Sequence, residues 1–420
     1  MTPPPAEELQ QRFREMLIPL IEREQKTYRQ AKRRERKIGW SLLFWLLFDM
    51  IWRHTPSLRE ETRVISQEGV WGQPAISVRP QAVIDRLRIF PTELLISIVT
   101  SFLPQVAERA NSRSSPLPPI LRDLSQRFPR LWAIDGSTLD AVLRKALLFR
   151  DEPVRPLAGR MIAILDIVTQ LPVALASTDG ATSTDQQWWN WLDEHLPKHT
   201  LILMDGGFCQ YQRYAAFTSS DRYFIAPLAS NAVTSVVSFR RISASVTDCV
   251  IRLGASPKAT DPSYRMITLT LGGTTTRYLT NILDRKRLLA AEMIVCYEYR
   301  WKIEQAFLTV KRVLGLAYFH GSSYLAITAQ VWMTWLAYCL LVDLADSVSA
   351  FVQRPRVLIS LQMLLRGLYH FREACLCRHE SRSLLTYLSQ ESFLNLFHPL
   401  TSFFGPLTRF LFSECLLDSS

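Results

Sequence analysis

"RLWAIDGSTL", residues 130–139, is the stretch on which the reading of the fold turns. Before it the chain reads as helical. From Arg130 onward, short apolar runs alternate with turn residues, the pattern of buried strands. "RMIAILDIVTQ" (160–170) and "PVALAST" (172–178) continue that pattern. "STDQQWWNWLDEHL" (183–196) reads as a capped helix, with Thr184 and Gln187 at capping-box spacing and Trp188, Trp189 and Trp191 as core anchors. "HTLILMDGGF" (199–208) is a fourth strand, apolar enough to be buried on both faces. Three strands, a helix and a fourth strand predict an α/β fold.

Working outward, a helical piece near Gln210–Ser219 precedes "RYFIAPLA" (222–229), a fifth strand. Between residues 235 and 283, "SVVSFRRIS", "CVIRLG", "YRMITLTLGG" and "TTTRYLTNIL" alternate and are rich in Val, Ile and Thr. They read as a mostly antiparallel β insertion. Upstream, "RQAKRRERK" (29–37) suits either bound phosphates or a solvated helix face. "VRPQAVIDRLRIFPTELLISIV" (78–99) holds two helical patterns parted at Pro91, a helix-turn-helix or a plain helical pair. "ANSRSSPLPPI" (110–120) is the clearest linker. Long helical segments follow the β-rich block to the C-terminus. The expected division is a helical, DNA-binding 1–128, a core in two parts (129–228 and 291–345) around a β-rich 229–290, and a helical 346–420.

The 420 residues suffice for two or three domains, and 48% hydrophobic with 21% charged residues is a globular composition. A formal charge of +11 favours a polyanionic partner, nucleic acid before an anionic membrane. Seven cysteines without regular spacing point away from a disulfide scaffold and toward a reducing compartment. Cys375, Cys377 and His379 in "CLCRH" stand closer together than zinc-knuckle ligands do, so they read as a chance cluster. "MTPPPAEELQQR" is polar and proline-rich, unlike a secretory signal. "IGWSLLFWLLFDMIW" (38–52) and "YLAITAQVWMTWLAYCLLV" (324–342) are apolar enough to need a membrane check. Asp49 in one and Gln330 in the other favour buried helices, so no membrane partner is expected.

Three carboxylates organise the functional reading. Asp135 and Asp205 each close an apolar strand run and precede glycine. A strand's end in an α/β sheet can present a side chain to a crevice from a fixed backbone. Either Asp-Gly alone reads as turn chemistry. Glu304 changes the balance. It lies in "YEYRWKIEQAFLTVKRVLGL" (297–316), a helix on which Tyr297, Arg300, Glu304 and Lys311 share about 60° of arc at about 100° per residue. Cys296, Ile303, Ala306, Phe307, Val310 and Val313 fill the neighbouring apolar arc, leaving Glu298, Lys302, Gln305 and Thr309 for the solvated side. Three acids gathered by a fold repel one another unless a cation sits among them, and oxygen ligands suit Mg²⁺ or Mn²⁺. Two such ions promote in-line displacement at phosphorus. Arg300 and Lys311 would then serve DNA phosphates.

These residues resemble the insertion-sequence DDE transposases with a ribonuclease-H-like catalytic core. One large group carries the signature Y-x₂-R-x₃-E-x₆-K, which Tyr297, Arg300, Glu304 and Lys311 meet at every position. "IDGSTLD" and "LILMDGGF" look like the contexts of its two aspartates, with a β insertion before the glutamate. The resemblance covers about residues 38–345. It implies Asp135, Asp205 and Glu304 as ligands of two Mg²⁺ ions, and Tyr297, Arg300 and Lys311 as contacts to the element's DNA end. It also implies nicking of the terminal inverted repeats, attack of the freed 3′-OH on target DNA, a homodimer holding two ends, and a cytoplasmic, nucleoid-associated protein. Relatives stack a flipped base on a tryptophan of the insertion, and residues 206–296 contain none. Tyr264, Tyr278 and Phe239 are the candidate substitutes, and a hairpin intermediate stays open. Asp140 and Asp166 read as structural. Two other readings stand beside a transposase: a catalytically silent DNA-binding relative, and a ribonuclease-H-like nuclease without strand transfer.

Overall fold

A computed structural model of the protein describes residues 7–30, 38–138, 160–178, 185–208, 210–316, 323–377 and 382–389. The basic residues 31–37, Asp140, Thr184 and His379 lie outside the described residues. Six helices come first: α1 (Glu7–Gln30), α2 (Trp40–Arg53), α3 (Leu58–Glu68), α4 (Pro80–Leu87), α5 (Thr92–Ser112) and α6 (Pro119–Arg127). The middle of the chain supplies β1 (Arg130–Thr138), β2 (Arg160–Asp166), β3 (Pro172–Thr178), α7 (Trp189–His195), β4 (Thr200–Met204), α8 (Tyr211–Ser219) and β5 (Tyr223–Pro227). Then come β6 (Thr234–Arg241), β7 (Val246–Leu253), β8 (Tyr264–Leu271) and β9 (Thr274–Thr280). The described chain closes with α9 (Ala290–Glu298), α10 (Trp301–Leu308), α11 (Tyr324–Val352), α12 (Leu361–Cys377) and α13 (Leu384–Leu388).

The nine strands form one mixed sheet, in the order β3-β2-β1-β4-β5-β9-β8-β7-β6. β1 pairs in parallel with β4, and β4 with β5, while the other pairs are antiparallel. The β-rich block is a meander that continues the sheet, because β9 pairs along β5 from Ile225↔Thr280 to Pro227↔Tyr278. Alternation divides the core. Leu131, Ala133, Leu201 and Leu203 belong to the large cluster shared with the helical regions, whereas Trp132, Ile134, Ile202 and Met204 face a second cluster with Trp189. Trp188 and Trp191 pack at that second cluster's edge.

Both apolar stretches are core helices. α2 is hydrophobic on every side and buried around its circumference, as a helix without a polar face must be. Phe13 and Trp45 stack on Trp71 beside it. α11 is long and apolar enough to cross a membrane, yet 89% of its most apolar window is buried by the protein itself. α4 and α5 meet at a 75° bend, and α5 spends Leu95, Ile98, Val99 and Phe102 on the core.

The segment expected to be a linker is held fast. Arg113 donates to Asp343 at 2.6 Å and to Asp346 at 2.9 Å, and the Ser115 hydroxyl donates to Asp346 at 2.9 Å. Arg12 of α1 and Arg109 of α5 reach the same Asp343 at 2.7 and 3.2 Å. Burial works against the Asp343 charge, but these arginines outweigh it and hold the carboxyl below its ordinary range. Composition marked 110–120 as loose; an ion cluster far away in sequence fixes it. Asp343→Ala is therefore expected to destabilise the fold by about 3 kcal/mol, since three cations lose their shared acceptor. Urea denaturation followed by circular dichroism would check it, and an unchanged midpoint would contradict the clamp.

Candidate active site

The parallel ladder between β1 and β4 ends at Ile134↔Met204, so the next residues on the two strands are Asp135 and Asp205. By the same alternation both belong on the face of Ala133 and Leu203, the face over which α10 packs. The two aspartates differ in one respect that the sequence hid. β4 stops at Met204 and a short 3₁₀ turn, Gly206–Phe208, follows Asp205. β1 instead runs on to Thr138 against β2, with Asp135↔Ala163 and Gly136↔Ile162 in register, so Asp135-Gly136 is mid-strand and not a turn. The Asp135 carboxylate accepts from the Gly136 amide at 2.7 Å, and that of Asp205 from the Gly206 amide at 2.6 Å.

Glu304 arrives on α10. Its Oε1 accepts a 2.6 Å hydrogen bond from Arg300 Nη2, while Arg300 Nη1 stands 3.7 Å from Asp135 Oδ2. The structure thus brings Asp135 and Glu304 to one guanidinium, with Asp205 within electrostatic reach of both Asp135 and Arg300. Burial opposes the Arg300 charge, but Tyr297, Glu304 and Asp205 prevail and hold it above its ordinary range. Asp135 lacks such compensation. Burial pushes its carboxyl up to about 7, the Gly136 amide and Arg300 pull it down, and Asp205 and Glu304 add to the rise. Asp166 stands apart, accepting from Trp132 Nε1 at 3.1 Å and from the Thr169 amide at 2.7 Å, a structural role.

The helix of the signature is less regular than a single wheel assumes. α9 ends at Glu298, and the junction closes with tight i→i−3 bonds: Tyr299 to Cys296, Arg300 to Tyr297, Lys302 to Tyr299 and Ile303 to Arg300. Residues Thr309–Val313 form a π-turn carrying Lys311, so each residue there turns by less than the α-helical angle. Gly315, at φ +75°, ends the run, and a Cβ there would meet the His54 ring at 3.3 Å. Tyr297 points inward, its hydroxyl donating to the Met204 carbonyl at 3.2 Å, with the Arg300 guanidinium 5.7 Å from its ring centre. Lys311 is half-buried. The solvated side expected for Lys302 and Thr309 is overturned. Both are buried, and Lys302 Nζ reaches Gln305 Oε1 at 3.1 Å and the Val357 carbonyl at 3.5 Å. Chain beyond α11 covers that face, and burial next to Arg356 pushes the Lys302 amine down to about 7. Of the three aromatic candidates in the β-rich block, Tyr264 and Tyr278 are buried, and Phe239 on β6 is 64% exposed.

The donor set fits a hard divalent cation: three carboxylates from two strands and a helix, one buried enough to resist ionising without a cation beside it. Among the described residues, however, no three acidic, His or Cys side chains stand close enough together to hold a metal ion as they are placed. The expected cage is a cluster closed by Arg300 instead, because repelling carboxylates need a positive charge and the guanidinium supplies it. No described cysteine belongs to the cluster, and Cys249, Cys296, Cys339, Cys375 and Cys377 are free thiols.

The raised Asp135 value has a consequence for stability. The folded state holds this proton more tightly than the unfolded chain, so ionised Asp135 costs stability as pH rises from about 4 to about 7, and fully above that. Metal-free Asp135→Asn is expected to melt a few degrees above the parent at pH 8, the gain shrinking toward pH 4. Melting curves across that range test this, and a gain independent of pH would count against it.

Residues 151–340 match the family model described as the transposase DDE domain, a span that takes in Asp205, Tyr297, Arg300, Glu304 and Lys311 and begins after Asp135. The Sinorhizobium fredii protein named "Putative transposase y4zB" is 30% identical over 148 residues, 33% of this chain and 41% of that one. The chain thus spans less than half the length of that curated relative. A solved synaptic complex of piggyBac transposase with hairpin DNA superposes over 86% of both chains, at 12% identity and a TM-score of 0.37, too loose a likeness to say more. By sequence, the segment that carries Asp205 and the whole 297–311 signature is similar to transposase DDE domains.

Proposed function

We propose that this protein is a DDE transposase of the Y-x₂-R-x₃-E-x₆-K group, which cleaves the ends of its insertion sequence and joins the freed 3′-OH to target DNA. One observation carries the reading: Asp135 and Asp205 stand side by side at the end of a parallel strand pair, and Arg300 links Glu304 to the same spot. The order β3-β2-β1-β4-β5, with only the β1–β4 and β4–β5 pairs parallel, supports a ribonuclease-H-like core. The match over residues 151–340 supports transposition as the activity.

In this reading Asp135, Asp205 and Glu304 hold two Mg²⁺ ions, with Mn²⁺ as substitute. When bound, such ions polarise the scissile phosphate and stabilise the entering and leaving oxygens. The chain's own contribution is positional. The β1–β4 ladder fixes two carboxylates, and Tyr297 ties the end of α9 to the tip of β4 through the Met204 carbonyl. Arg300 and Lys311 supply positive charge for the phosphates of the terminal inverted repeats, in line with the net charge of +11. Residues 1–128 add further DNA contacts, and a homodimer pairs two ends on nucleoid DNA in the cytoplasm.

Purified protein, labelled DNA taken from the flanks of its reading frame, and Mg²⁺ form the direct test. Nicked ends and a joined product are expected, both lost with a chelator. A shift without cutting would indicate the silent binder, and nicks without joining the nuclease. Glu304→Gln should reduce cleavage by about 100-fold or more without abolishing DNA binding. Cleavage by that variant at the parental rate would refute the assignment. Lys311→Ala should weaken binding and lower the salt-dependence slope by about 1, measured by fluorescence anisotropy across a salt series.

A further inference from the structure

Arg300 is held among the carboxylates in an unusual way. Its side chain is only 10% exposed, yet it makes one close hydrogen bond, to Glu304 at 2.6 Å. Nη1 approaches Asp135 no nearer than 3.7 Å, and both Nη1 and Nε are buried without a hydrogen-bond partner. A guanidinium offers five donors in a planar fork, and leaving them unmade indoors is costly. What retains this one is the single Glu304 contact and the electrostatic pull of Tyr297, Glu304, Asp205 and Asp135, not a fitted set of acceptors. The contrast with Arg113 is direct, since that side chain satisfies two carboxylates at 2.6 and 2.9 Å.

We infer that Arg300 is a built-in counter-cation that competes with divalent metal for the acidic cluster until a DNA phosphate draws it away. The inference rests on the proposed metal-holding role of Asp135, Asp205 and Glu304. A second cation a few ångströms from the guanidinium would be strongly repelled in so buried a place, so ion and Arg300 exclude each other. A phosphate presents the paired oxygens that the fork lacks at present. DNA that removes Arg300 from Glu304 therefore raises metal affinity, and metal raises DNA affinity by the same factor. The free protein is thereby kept poorly loaded and inactive until an end is bound.

The test uses the full chain and Mn²⁺ alone, by isothermal titration calorimetry without DNA. Arg300→Gln, with circular dichroism confirming that it is folded, is expected to bind Mn²⁺ about tenfold more tightly than the parent. Equal or weaker binding overturns the competition. Glu304→Gln separates the two readings: it must weaken Mn²⁺ binding if the cluster holds metal, and no change there defeats the metal-holding role as well. Parental crystals soaked in Mn²⁺ give an answer that needs no variant. An ion at the carboxylates with Arg300 withdrawn from Glu304 supports the inference, and an ion bound there with the 2.6 Å contact intact overturns it.

Discussion

The parallel pairing of β1 with β4 is the constraint on which the candidate site depends. Its ladder locks Ile134 opposite Met204, and the following residue on each strand is an aspartate. Neither carboxylate can be moved without shifting the register, and a shift by one residue would exchange the two faces of the sheet. The alternating burial of Leu131, Ala133, Leu201 and Leu203 on one side, and of Trp132, Ile134, Ile202 and Met204 on the other, makes such a slip prohibitive. The acids are therefore positioned by the hydrophobic core, although they contribute nothing to it.

Two clusters of buried charge show the same physics with opposite outcomes. Around Asp343 three arginines converge, and the carboxyl lies below its ordinary range. Around Arg300 the imbalance runs the other way, with three acids, one cation and a carboxyl on Asp135 pushed up to about 7. The first arrangement is closed and ties α1, α5 and the 113–118 loop to α11. The second is incomplete as an ion network, a condition that costs stability and persists in proteins chiefly where binding or catalysis needs it.

The 297–316 segment shows how a uniform helical wheel succeeds and fails. Arg300 and Glu304 are four residues apart at the start of α10, and they meet as the wheel requires. On either side the geometry departs from the wheel, since the junction at Tyr299 is wound tighter and the turn carrying Lys311 is wound wider than an α-helix. The periodicity of its own helix alone places Lys302 in solvent. Its burial comes from the chain around Arg356 and Val357, more than fifty residues on, which no local periodicity reports.

By itself the sequence determined what local pattern can encode. The alternation of short apolar runs specified the strands, Asp49 and Gln330 within their apolar stretches marked α2 and α11 as interior, and helical spacing put Arg300 and Glu304 on one stripe. Tertiary structure alone decided which strands are neighbours, that Asp135 sits mid-strand while Asp205 ends one, that the proline-rich 110–120 stretch is pinned by Asp343 and Asp346, and that Arg300 closes the acidic cluster. The physical reason is range. Propensity and periodicity act over a few residues, whereas sheet order, burial of a charge and the identity of its counter-ion depend on groups tens to hundreds of residues apart.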